Sequence, residues 1–448
     1  MEQWATVILA AGQGARMKSA LPKVLHPVAG RAILSYVAQA VSEAGVGPIV
    51  LVLPPNSEIF RHTIGAEVPY AVQSQPRGTG DALRCARPQL DRYSSVLVVS
   101  GDTPLLSGAT LRRLVAHHRA TDATISLLTT HPAEPRGLGR VIRDGEGRVQ
   151  AVIEEAGADA AQRAIRETNA GAYCFDAAWL WSHLEALEAS PQGEVYLTDL
   201  IGQAAAEGRR VEGLSVDDAS EALGVNDRIQ LAQAEAVLRD RIRRRWMSEG
   251  VTLIDPASTY IDDAVVIGRD TVIHPNTHVL GNSQIGDNCI LGPNSIIVDS
   301  TIAENCLVQA SVVEDATLEP DVTVGPFSHL RPQAYLERRV HIGNFAEIKN
   351  SRVGADTQMG HFSYVGDAVL GREVNVGAGT ITCNFDGVEK HQTTVGDEVF
   401  LGSDTLLIAP VSVGDRAATG AGAVVTEDVP PDTLAVGVPA RHRPRLRA

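Results

Sequence analysis

The sequence predicts an α/β chain in two parts: a sheet covered by helices, followed by a parallel β-helix. Before Asn226, short apolar runs such as TVILAAG, PIVLVLP and SVLVVSGD alternate with helical stretches. This alternation is typical of a parallel sheet with helices on its faces. A charged helical stretch, NDRIQLAQAEAVLRDRIRRRWMSEG, comes next. Beyond it an aliphatic residue returns at every sixth position, often followed by glycine, which indicates a parallel β-helix.

Length and composition narrow the classes of protein. A chain of 448 residues is long for one core, so we expect two domains. The 39 basic and 54 acidic side chains give a net charge of −15, which argues against a nucleic-acid partner. No apolar run reaches the roughly 20 residues of a membrane span, and no signal peptide precedes the first strand. The five cysteines lack CxxC spacing, so we expect reduced thiols in a cytoplasmic protein.

The first part contains two helical patterns, Ile33–Ala44 and Thr110–Ala120, between its β-rich runs. In sheets of this type, ligands bind at the carboxyl ends of the parallel strands. We therefore expect binding residues in the loops that come after each apolar run.

The second part is defined by its six-residue period. The period breaks up after Ile297, and RPQAYLERRV, between Arg331 and Val340, is expected to protrude as a loop. The period does not determine the handedness of the helix: parallel crossovers are normally right-handed, whereas the hexapeptide-repeat proteins that this part resembles form left-handed helices. A solenoid also serves as a scaffold, so the repeat alone is weak evidence of catalysis. The residues in phase are Ile261, Ile267, Ile273, Val279, Ile285, Leu291, Ile297, Val395, Leu401, Leu407, Val413, Thr419 and Val425.

The N-terminal stretch VILAAGQGARMKSALPKVL, Val7 to Leu25, contains a glycine loop. Met17 occupies the third glycine position of GxGxxG, so the loop is not a dinucleotide fingerprint, and it lacks the Gly-Lys-Ser/Thr of a Walker A loop. A strand, a glycine loop, Arg16 and Lys23 remain, which is a plausible phosphate site. The alternative is a purely structural strand-to-helix turn.

Two further stretches carry polar groups after apolar strands. VQSQPRGTGDAL places Gln73 before Gly78 and Thr79, and an amide pairs with a pyrimidine edge through one donor and one acceptor. An ordinary polar loop is the alternative. Asp102 ends the buried run VLVVSGD, where a carboxylate needs a cation or an N–H partner. Mg²⁺ is the natural cation, and capping of the next helix is the alternative.

The pattern LAAGxGxRM…PK resembles nucleotidyltransferases that join a nucleoside triphosphate to a sugar 1-phosphate. The motifs GNFAEIKNSRVG, GHFSYVGDAVLG and VNVGAGTITCNFDGVEKHQT extend the resemblance to the bacterial bifunctional N-acetylglucosamine-1-phosphate uridyltransferase/glucosamine-1-phosphate acetyltransferase family, over nearly the whole chain. The resemblance implies a Rossmann-like uridyltransferase (nucleotidyltransferase) domain over 1–228, a linker helix over 229–250 and a left-handed β-helix acetyltransferase domain of hexapeptide repeats over 251–448.

For the first domain, the resemblance implies three sets of binding residues. UTP would be held by Leu9, Ala10, Ala11, Gly12, Arg16, Lys23, Gln73, Gly78 and Thr79. N-acetylglucosamine 1-phosphate would be held by Gly139, Glu154, Asn169, Thr198 and Asn226. Asp102 and Asn226 would ligate Mg²⁺. Ser100 and Ala156 stand where relatives commonly have Tyr and Lys, near the sugar side.

For the second domain, the resemblance implies His361 as the catalytic base and Glu347 as its orienting partner. His361 alone would more often be a structural histidine, but its motif GHFSYVGDA favours the catalytic role. The glucosamine phosphate would be held by Arg331, Lys349, Tyr364, Asn375 and Lys390. Acetyl-CoA would be held by Asn384, Phe385, Ser403, Ala421 and Arg441.

The implied reaction sequence is acetylation of glucosamine 1-phosphate and then uridylyl transfer from UTP, within a homotrimer. One rival is a monofunctional sugar nucleotidyltransferase with a structural β-helix, which would not need GHFSYVGDA or NFDGVEK. Another rival is a non-catalytic regulatory subunit, which would have lost metal and phosphate residues. Arg16, Lys23, Asp102 and Asn226 are all present.

Overall fold

The computed structural model describes residues 3–55, 57–65, 67–135, 137–190 and 193–444. The chain forms two compact units, Met1–Leu238 and Arg239–Ala448. The division falls inside the long charged helix α8. The helices are α1 Ile33–Ala44, α2 Glu58–Ile64, α3 Thr79–Ala86, α4 Gly108–Thr121, α5 Ala160–Arg163, α6 Ala177–Leu184, α7 Asp199–Ala206 and α8 Arg228–Ser248.

The first unit is built on one large sheet. Its strands run in the order β11-β7-β10-β6-β1-β4-β5, and the hairpin β8–β9 is attached to β10. A separate short hairpin joins β2 to β3. The strands are β1 Trp4–Leu9, β2 Pro27–Val28, β3 Arg31–Ala32, β4 Ile49–Leu53, β5 Tyr70–Val72, β6 Ser95–Ser100, β7 Ile125–Thr130, β8 Arg140–Arg143, β9 Val149–Ile153, β10 Thr168–Asp176 and β11 Val211–Ser215.

The prediction of a parallel sheet is wrong at β10 and at the attached β8–β9 hairpin, which is antiparallel. β10 lies antiparallel between β6 and β7, while β1, β4, β5 and β6 are parallel, as is the pair of β7 and β11. The long strand β10 reads as an ordinary apolar run, and the chain passes from β7 to β10 through the β8–β9 hairpin and the short helix α5. The carboxyl ends of β1 and β6 still meet at one edge, as expected for a ligand site.

The central strands are apolar on both sides because both faces of the sheet are covered. Val96, Leu97, Val98 and Val99 of β6 are completely buried. This continuous apolar run is typical of a central strand beneath two helical layers. The neighbouring loop at the end of β6 is held close to β1, since a Cβ on Gly101 would lie 2.8 Å from the carbonyl oxygen of Leu9.

The second unit is a parallel β-helix with three faces. The first face contains Thr252–Leu253, Val272–Ile273, Ile290–Leu291, Leu307–Val308, Thr323–Val324, His341–Ile342, Gln358–Met359, Asn375–Val376, Phe400–Leu401, Ala418–Thr419, Thr433–Gly437 and Ala440–Pro444. The second contains Tyr260–Ile261, His278–Leu280, Ile296–Val298, Val312–Glu314, His329–Leu330, Ala346–Lys349, Ser363–Gly366, Ile381–Cys383, Leu406–Ile408 and Val424–Val425. The third contains Val266–Ile267, Gln284–Ile285, Thr301–Ile302, Thr317–Leu318, Tyr335–Leu336, Arg352–Val353, Ala368–Leu370, Thr393–Val395 and Val411–Val413.

The inward positions of the coil confirm the predicted period. Each residue that was expected in phase is at most 5% exposed, from Ile261 to Ile297 and from Val395 to Val425. Each short strand of these coils therefore directs one side chain into the prism, and a turn leads to the next face. The turns from the first face to the second form the first corner of the prism, and the turns from the second face to the third form the second corner.

The prediction that RPQAYLERRV leaves the coil is wrong. Leu330, Leu336 and Ile342 are completely buried at a six-residue spacing, and Tyr335–Leu336 is a strand of the third face. Several earlier turns are one residue shorter, as between Ile297 and Ile302, and this shifts the phase of the period. The period is therefore displaced here and continues through the coil.

The segment that does leave the coil is 384–392. It lies at the second corner between the strands Ile381–Cys383 and Thr393–Val395. Phe385 and Lys390 form an antiparallel bridge, and the Asp386 carboxylate accepts hydrogen bonds from the backbone N–H groups of Val388 and Glu389. The segment is thus a hairpin that presents Lys390 at its base.

The structure bears on the predicted state of the cysteines and on the search for membrane-spanning helices. All five cysteines are free thiols, and Cys174, Cys289 and Cys306 are buried. Among the described residues, no helix combines the length and apolar character needed to cross a membrane.

Leu336→Ala is predicted to destabilise the β-helix. The side chain is fully buried, so its removal leaves a cavity that costs about 2–5 kcal/mol of the free energy of unfolding. Denaturant unfolding followed by circular dichroism measures the loss. Arg338→Ala, at an exposed turn two residues away, is the control and should change stability by about 0.5 kcal/mol or less. Equal stability of the two variants would contradict the corrected register.

Candidate functional site

A cavity of about 470 Å³ opens at the carboxyl ends of β1 and β6 in the first unit. Every residue that the sequence assigned to UTP or Mg²⁺ lines it. These residues are Leu9, Ala10, Ala11, Gly12, Arg16, Lys23, Gln73, Gly78, Thr79, Asp102 and Asn226.

The glycine loop shapes one wall of this cavity. A Cβ on Gly12 would meet no atom within 4 Å, so the backbone at Gly12 faces open space. Gly14 has φ +64°, and a Cβ there would lie 2.5 Å from the Cβ of Lys23. Met17 is buried in the core, which anchors the turn where a dinucleotide loop would have glycine. The loop therefore exposes backbone to the cavity while allowing Lys23 to pack closely against it.

Lys23 joins the two predicted metal ligands. Its ammonium nitrogen lies 2.5 Å from Asp102 Oδ2 and 2.9 Å from Asn226 Oδ1. The loop that carries Asn226 is fixed to the end of β6 by the Val225 N–H, which donates to the Asp102 carbonyl at 2.9 Å. Helix α4 is capped by Ser107, which accepts from the Thr110 N–H. Asp102 is thus a partner of a cation rather than a helix cap.

This oxygen pair fits Mg²⁺. A carboxylate and an amide oxygen both contact one positive nitrogen, so a cation can sit between them. Mg²⁺ usually takes one or two protein oxygens and completes its shell with water and phosphate oxygens. Within the described ranges, no group of three His, Cys, Asp or Glu side chains is placed to hold a metal.

Gln73 is more restricted than the sequence suggested. Its Nε2 donates to the Gly78 carbonyl at 3.1 Å and to Asp81 Oδ2 at 2.8 Å. Both amide hydrogens are therefore used inside the protein, and the oxygen alone is left for a ligand. The predicted donor-plus-acceptor pairing through this side chain is corrected to an acceptor only.

The four residues assigned to the sugar alone lie together in a second cluster of the first unit. The Thr198 hydroxyl donates to Glu154 Oε1 at 3.1 Å, and the Asn169 N–H donates to the Gly139 carbonyl at 2.9 Å. A Cβ on Gly139 would lie 3.4 Å from Glu154 Oε1. The cluster is tied to the nucleotide cavity because the Thr79 hydroxyl accepts from the N–H of Leu197 at 3.0 Å, next to Thr198.

The Glu154 carboxyl has an altered affinity for protons. Burial raises its pKa above the ordinary value of 4.5, and the Thr198 hydroxyl offsets part of this effect. Neighbouring Asp199 and Glu194 carboxylates raise the pKa further by repulsion. Glu194 also lines the nucleotide cavity and was missed by sequence reasoning, since an isolated Glu in a loop gives no signal.

In the second unit, three of the predicted phosphate-binding cations occupy the second corner. The Lys390 ammonium lies beside Lys349 and, with Arg331 nearby, lowers the pKa of Lys349 below its usual range. Adjacent positive groups repel one another unless an anion lies between them, so this cluster is suited to a phosphate. Tyr364 leans toward the same corner, because its hydroxyl lies over Gly366.

Asp367 holds the base of the 384–392 hairpin. Its carboxylate accepts from Asn350 Nδ2 at 2.6 Å and from the amide of Asn384. Burial raises its pKa, but these hydrogen bonds and the charges of Lys390 and Lys349 outweigh burial, so the pKa lies below its usual range. Asp367 therefore stays ionised and fixes Asn384 beside the cations.

His361 lies at the first corner, at the other end of the strand Ser363–Gly366. The side chain is exposed, and it forms no hydrogen bond within the described part of the chain. The imidazole nitrogens of His361 are therefore accessible to a ligand. Within one chain, the Glu347 carboxylate accepts a hydrogen bond from Arg331 Nη1 at 2.7 Å.

The remaining predicted residues of the second unit are distributed over its surface. Ser403 and Ala421 share the first corner with His361, where the Gly422 N–H donates to the Ser403 carbonyl at 2.8 Å. Asn375 lies on the first face, in register with Gln358 and Phe400. Phe385 lies in the hairpin at the second corner, and Arg441 in the terminal strand. One chain therefore presents His361 and its cation cluster at two different corners.

Comparison with known protein families supports this division into two kinds of transferase. Residues 6–197 match the MobA-like NTP transferase domain. Residues 264–299 match the bacterial transferase hexapeptide family of six repeats, and residues 392–427 match the hexapeptide repeat of succinyl-transferase. The chain thus combines a nucleotidyltransferase with a left-handed β-helix transferase.

Close relatives cover nearly the whole chain. The bifunctional protein GlmU of Heliobacterium modesticaldum is 47% identical over 97% of this chain and 96% of its own length. GlmU of Pelobacter propionicus is 46% identical over the same shares, and GlmU of Exiguobacterium sibiricum is 46% identical over 98% and 97%. The chain belongs to the family of bifunctional GlmU proteins.

Glu154→Gln is predicted to change how stability depends on pH. Because the folded-state pKa of Glu154 is raised, the wild-type fold loses stability as the pH rises above 4.5 through the folded-state pKa, and the glutamine variant does not. The variant should therefore equal or exceed the wild type in stability at neutral pH and lose this gain in acid. Thermal unfolding of both proteins across this pH range measures the difference, and a constant gap would contradict the assignment.

Proposed function

We propose that this enzyme acetylates glucosamine 1-phosphate with acetyl-CoA and then transfers uridylyl from UTP to the N-acetylglucosamine 1-phosphate formed. The products are UDP-N-acetylglucosamine and pyrophosphate. The observation that carries this proposal is the convergence of all residues assigned to UTP and Mg²⁺ on one cavity. We also propose the domain bounds 1–228, 229–250 and 251–448.

In the first domain, the sugar phosphate oxygen attacks the α-phosphorus of UTP, and the bond to the leaving pyrophosphate breaks. Such a transfer mainly needs alignment and neutralisation of charge. Arg16 and Lys23 line the cavity and supply positive charge to the phosphates. Mg²⁺, held by Asp102 and Asn226, would add charge stabilisation when bound. Gly139, Glu154, Asn169 and Thr198 hold the sugar and orient its phosphate.

In the second domain, the amine nitrogen of glucosamine attacks the acetyl thioester carbonyl, and the carbon–sulfur bond of acetyl-CoA breaks. His361 takes the proton that the amine loses. Arg331, Lys349 and Lys390 hold the phosphate, with Tyr364 and Asn375 beside the sugar. Acetyl-CoA contacts Asn384, Phe385, Ser403, Ala421 and Arg441.

We propose that the acetylation site is completed in a homotrimer. Phe327 and Phe345 stack at the first corner with ring centroids 5.4 Å apart, and Phe362 lies one coil further on. All three are more than half exposed, and Phe327 and Phe345 also have positive φ. Left-handed backbone at a bulky residue costs roughly 1–2 kcal/mol, and an exposed ring adds contact with water. A neighbouring chain that covers this ladder would remove the second cost.

We further propose a cytoplasmic enzyme with small-molecule substrates. Its five free thiols suit a reducing compartment. Its net charge of −15 does not favour nucleic acid, and its cations are gathered at sites suited to small anions.

Asp102→Ala and His361→Ala are predicted to have reciprocal effects. Asp102→Ala should abolish uridylyl transfer and leave acetylation nearly unchanged, because the two sites lie in separate domains. His361→Ala should slow acetylation by about 10²–10⁴-fold, the usual share of a general base, and leave uridylyl transfer intact. Supplying glucosamine 1-phosphate, acetyl-CoA, UTP and Mg²⁺ together and identifying products by mass reads both steps.

Each of these variants is the other's control for folding. Loss of both activities in a folded Asp102→Ala protein would contradict separate sites. Absence of any acetylated or uridylylated product from the wild type would refute the proposed function.

Phe345→Asp is predicted to break the trimer. A buried carboxylate within the ladder would disfavour association, so light scattering should show monomers, and acetylation should fall while uridylyl transfer persists. Val266→Asp changes another exposed apolar residue, on the third face, and should remain trimeric. A fully active monomer would overturn the shared site.

A further inference from the structure

The Gln73 carboxamide has its orientation fixed by groups inside the protein. Gln73 is 5% exposed, and its nitrogen donates to the Gly78 carbonyl and to Asp81 Oδ2. If the amide turned over, its oxygen would face two acceptors, and both hydrogen bonds would be lost. The carboxamide therefore presents its oxygen, and not its nitrogen, as the group free to meet a ligand.

Asp81 is the side chain that enforces this orientation. It lies in the first turn of α3 (Thr79–Ala86), and its side chain is 13% exposed. A carboxylate there is favoured by the amino-terminal end of the helix and can only accept hydrogen bonds. Arg77, which is largely exposed, lies 3.5 Å from the other carboxylate oxygen. The ion pair with Arg77 and the helix end therefore fix the Asp81 carboxylate where it accepts the hydrogen bond from Gln73.

We propose that Asp81 is a specificity-determining positioning residue that makes the nucleotide cavity select uracil over cytosine. Uracil carries a hydrogen on N3, which the Gln73 oxygen can accept. Cytosine presents a lone pair at N3, so the same oxygen would face it without a hydrogen between them. This inference rests on the proposed use of UTP, and it concerns how the base is chosen.

The geometry indicates how removal of the Asp81 carboxylate should change the discrimination between uracil and cytosine. Sites built around a buried hydrogen bond reject mismatched ligands strongly, because a polar group is left unpaired. In wild type, cytosine could be accommodated only if Gln73 turned over against Asp81 and Gly78. Removing the Asp81 carboxylate eliminates one of these two obstacles, so discrimination should weaken but not vanish.

The test is Asp81→Asn in the full chain, assayed for nucleotidyl transfer with UTP and with CTP. The asparagine amide can donate as well as accept, so it tolerates either orientation of Gln73. The ratio of kcat/KM for UTP to kcat/KM for CTP should fall about tenfold or more, and kcat/KM for CTP should rise in absolute terms. Asp81→Ser, a smaller side chain, should show the same change if the first variant folds poorly.

Arg77→Gln is the matched control. The variant lacks the ion pair between residue 77 and Asp81, but the Asp81 carboxylate still accepts the hydrogen bond from Gln73. The UTP/CTP ratio should therefore stay at the wild-type value. Circular dichroism and thermal unfolding of each variant check that the first unit, which carries both residues, is folded. A general structural loss would lower both nucleotide rates together and leave the ratio unchanged.

Three results would overturn the inference. One is a wild-type UTP/CTP ratio in folded Asp81→Asn and Asp81→Ser, and another is an equal fall of the ratio in Arg77→Gln. The third is a wild-type enzyme that uses CTP as well as UTP, which would leave the proposed function standing. A wild type that uses neither nucleotide would refute the proposed function as well.

Discussion

Three segments of the first unit meet at one ammonium group. Lys23 contacts Asp102 and Asn226, which lie 79 and 203 residues away along the chain. The glycine loop, the end of β6 and the approach to α8 must all be in place before these contacts form. The cavity is therefore a product of the completed fold rather than of a local loop. The same arrangement places two oxygens, which a divalent cation requires as ligands, beside a positive charge, which a triphosphate requires as a partner.

The second unit depends on a different constraint. One side chain in each short strand fills the prism, so faces and corners are left to carry chemistry. The cation cluster occupies the second corner, and His361 occupies the first, with the strand Ser363–Gly366 between them. This separation on one chain, together with the exposed phenylalanines beside His361, is the physical reason for proposing a site shared between chains.

Much of the fold could be predicted from short-range pattern. Helix α1 begins and ends at the expected Ile33 and Ala44, and the in-phase aliphatic residues are buried. The two wrong predictions concern strand direction and turn length, which leave no local signal in the sequence. The direction of β10 is seen only in its antiparallel pairing with β6 and β7. The shortened turns before Leu330 displace the six-residue period, which continues through the coil.

The candidate site also contains residues that the sequence predicted and contacts that it did not. Arg16, Lys23, Asp102 and Asn226 were found from motif and position, and they line one cavity. Sequence could not show that Gly78 and Asp81 together accept both amide hydrogens of Gln73, since the pairing depends on side-chain geometry. Nor could it show that Arg331 binds Glu347 within one chain. Residue type indicates what a group can do, but its neighbours decide which of those capacities is free.

Binding of Mg²⁺ to the full chain in the presence of a non-hydrolysable UTP analogue probes the junction of Lys23, Asp102 and Asn226 directly. Calorimetric titration of the wild type and of Asn226→Leu compares the cation affinity with and without the amide oxygen. Loss of an outer-shell partner alone typically costs 10–100-fold in metal affinity, so loss of a ligand should weaken binding about tenfold or more. Equal affinity in the two folded proteins would show that the cation binds elsewhere and would contradict the proposed nucleotide site.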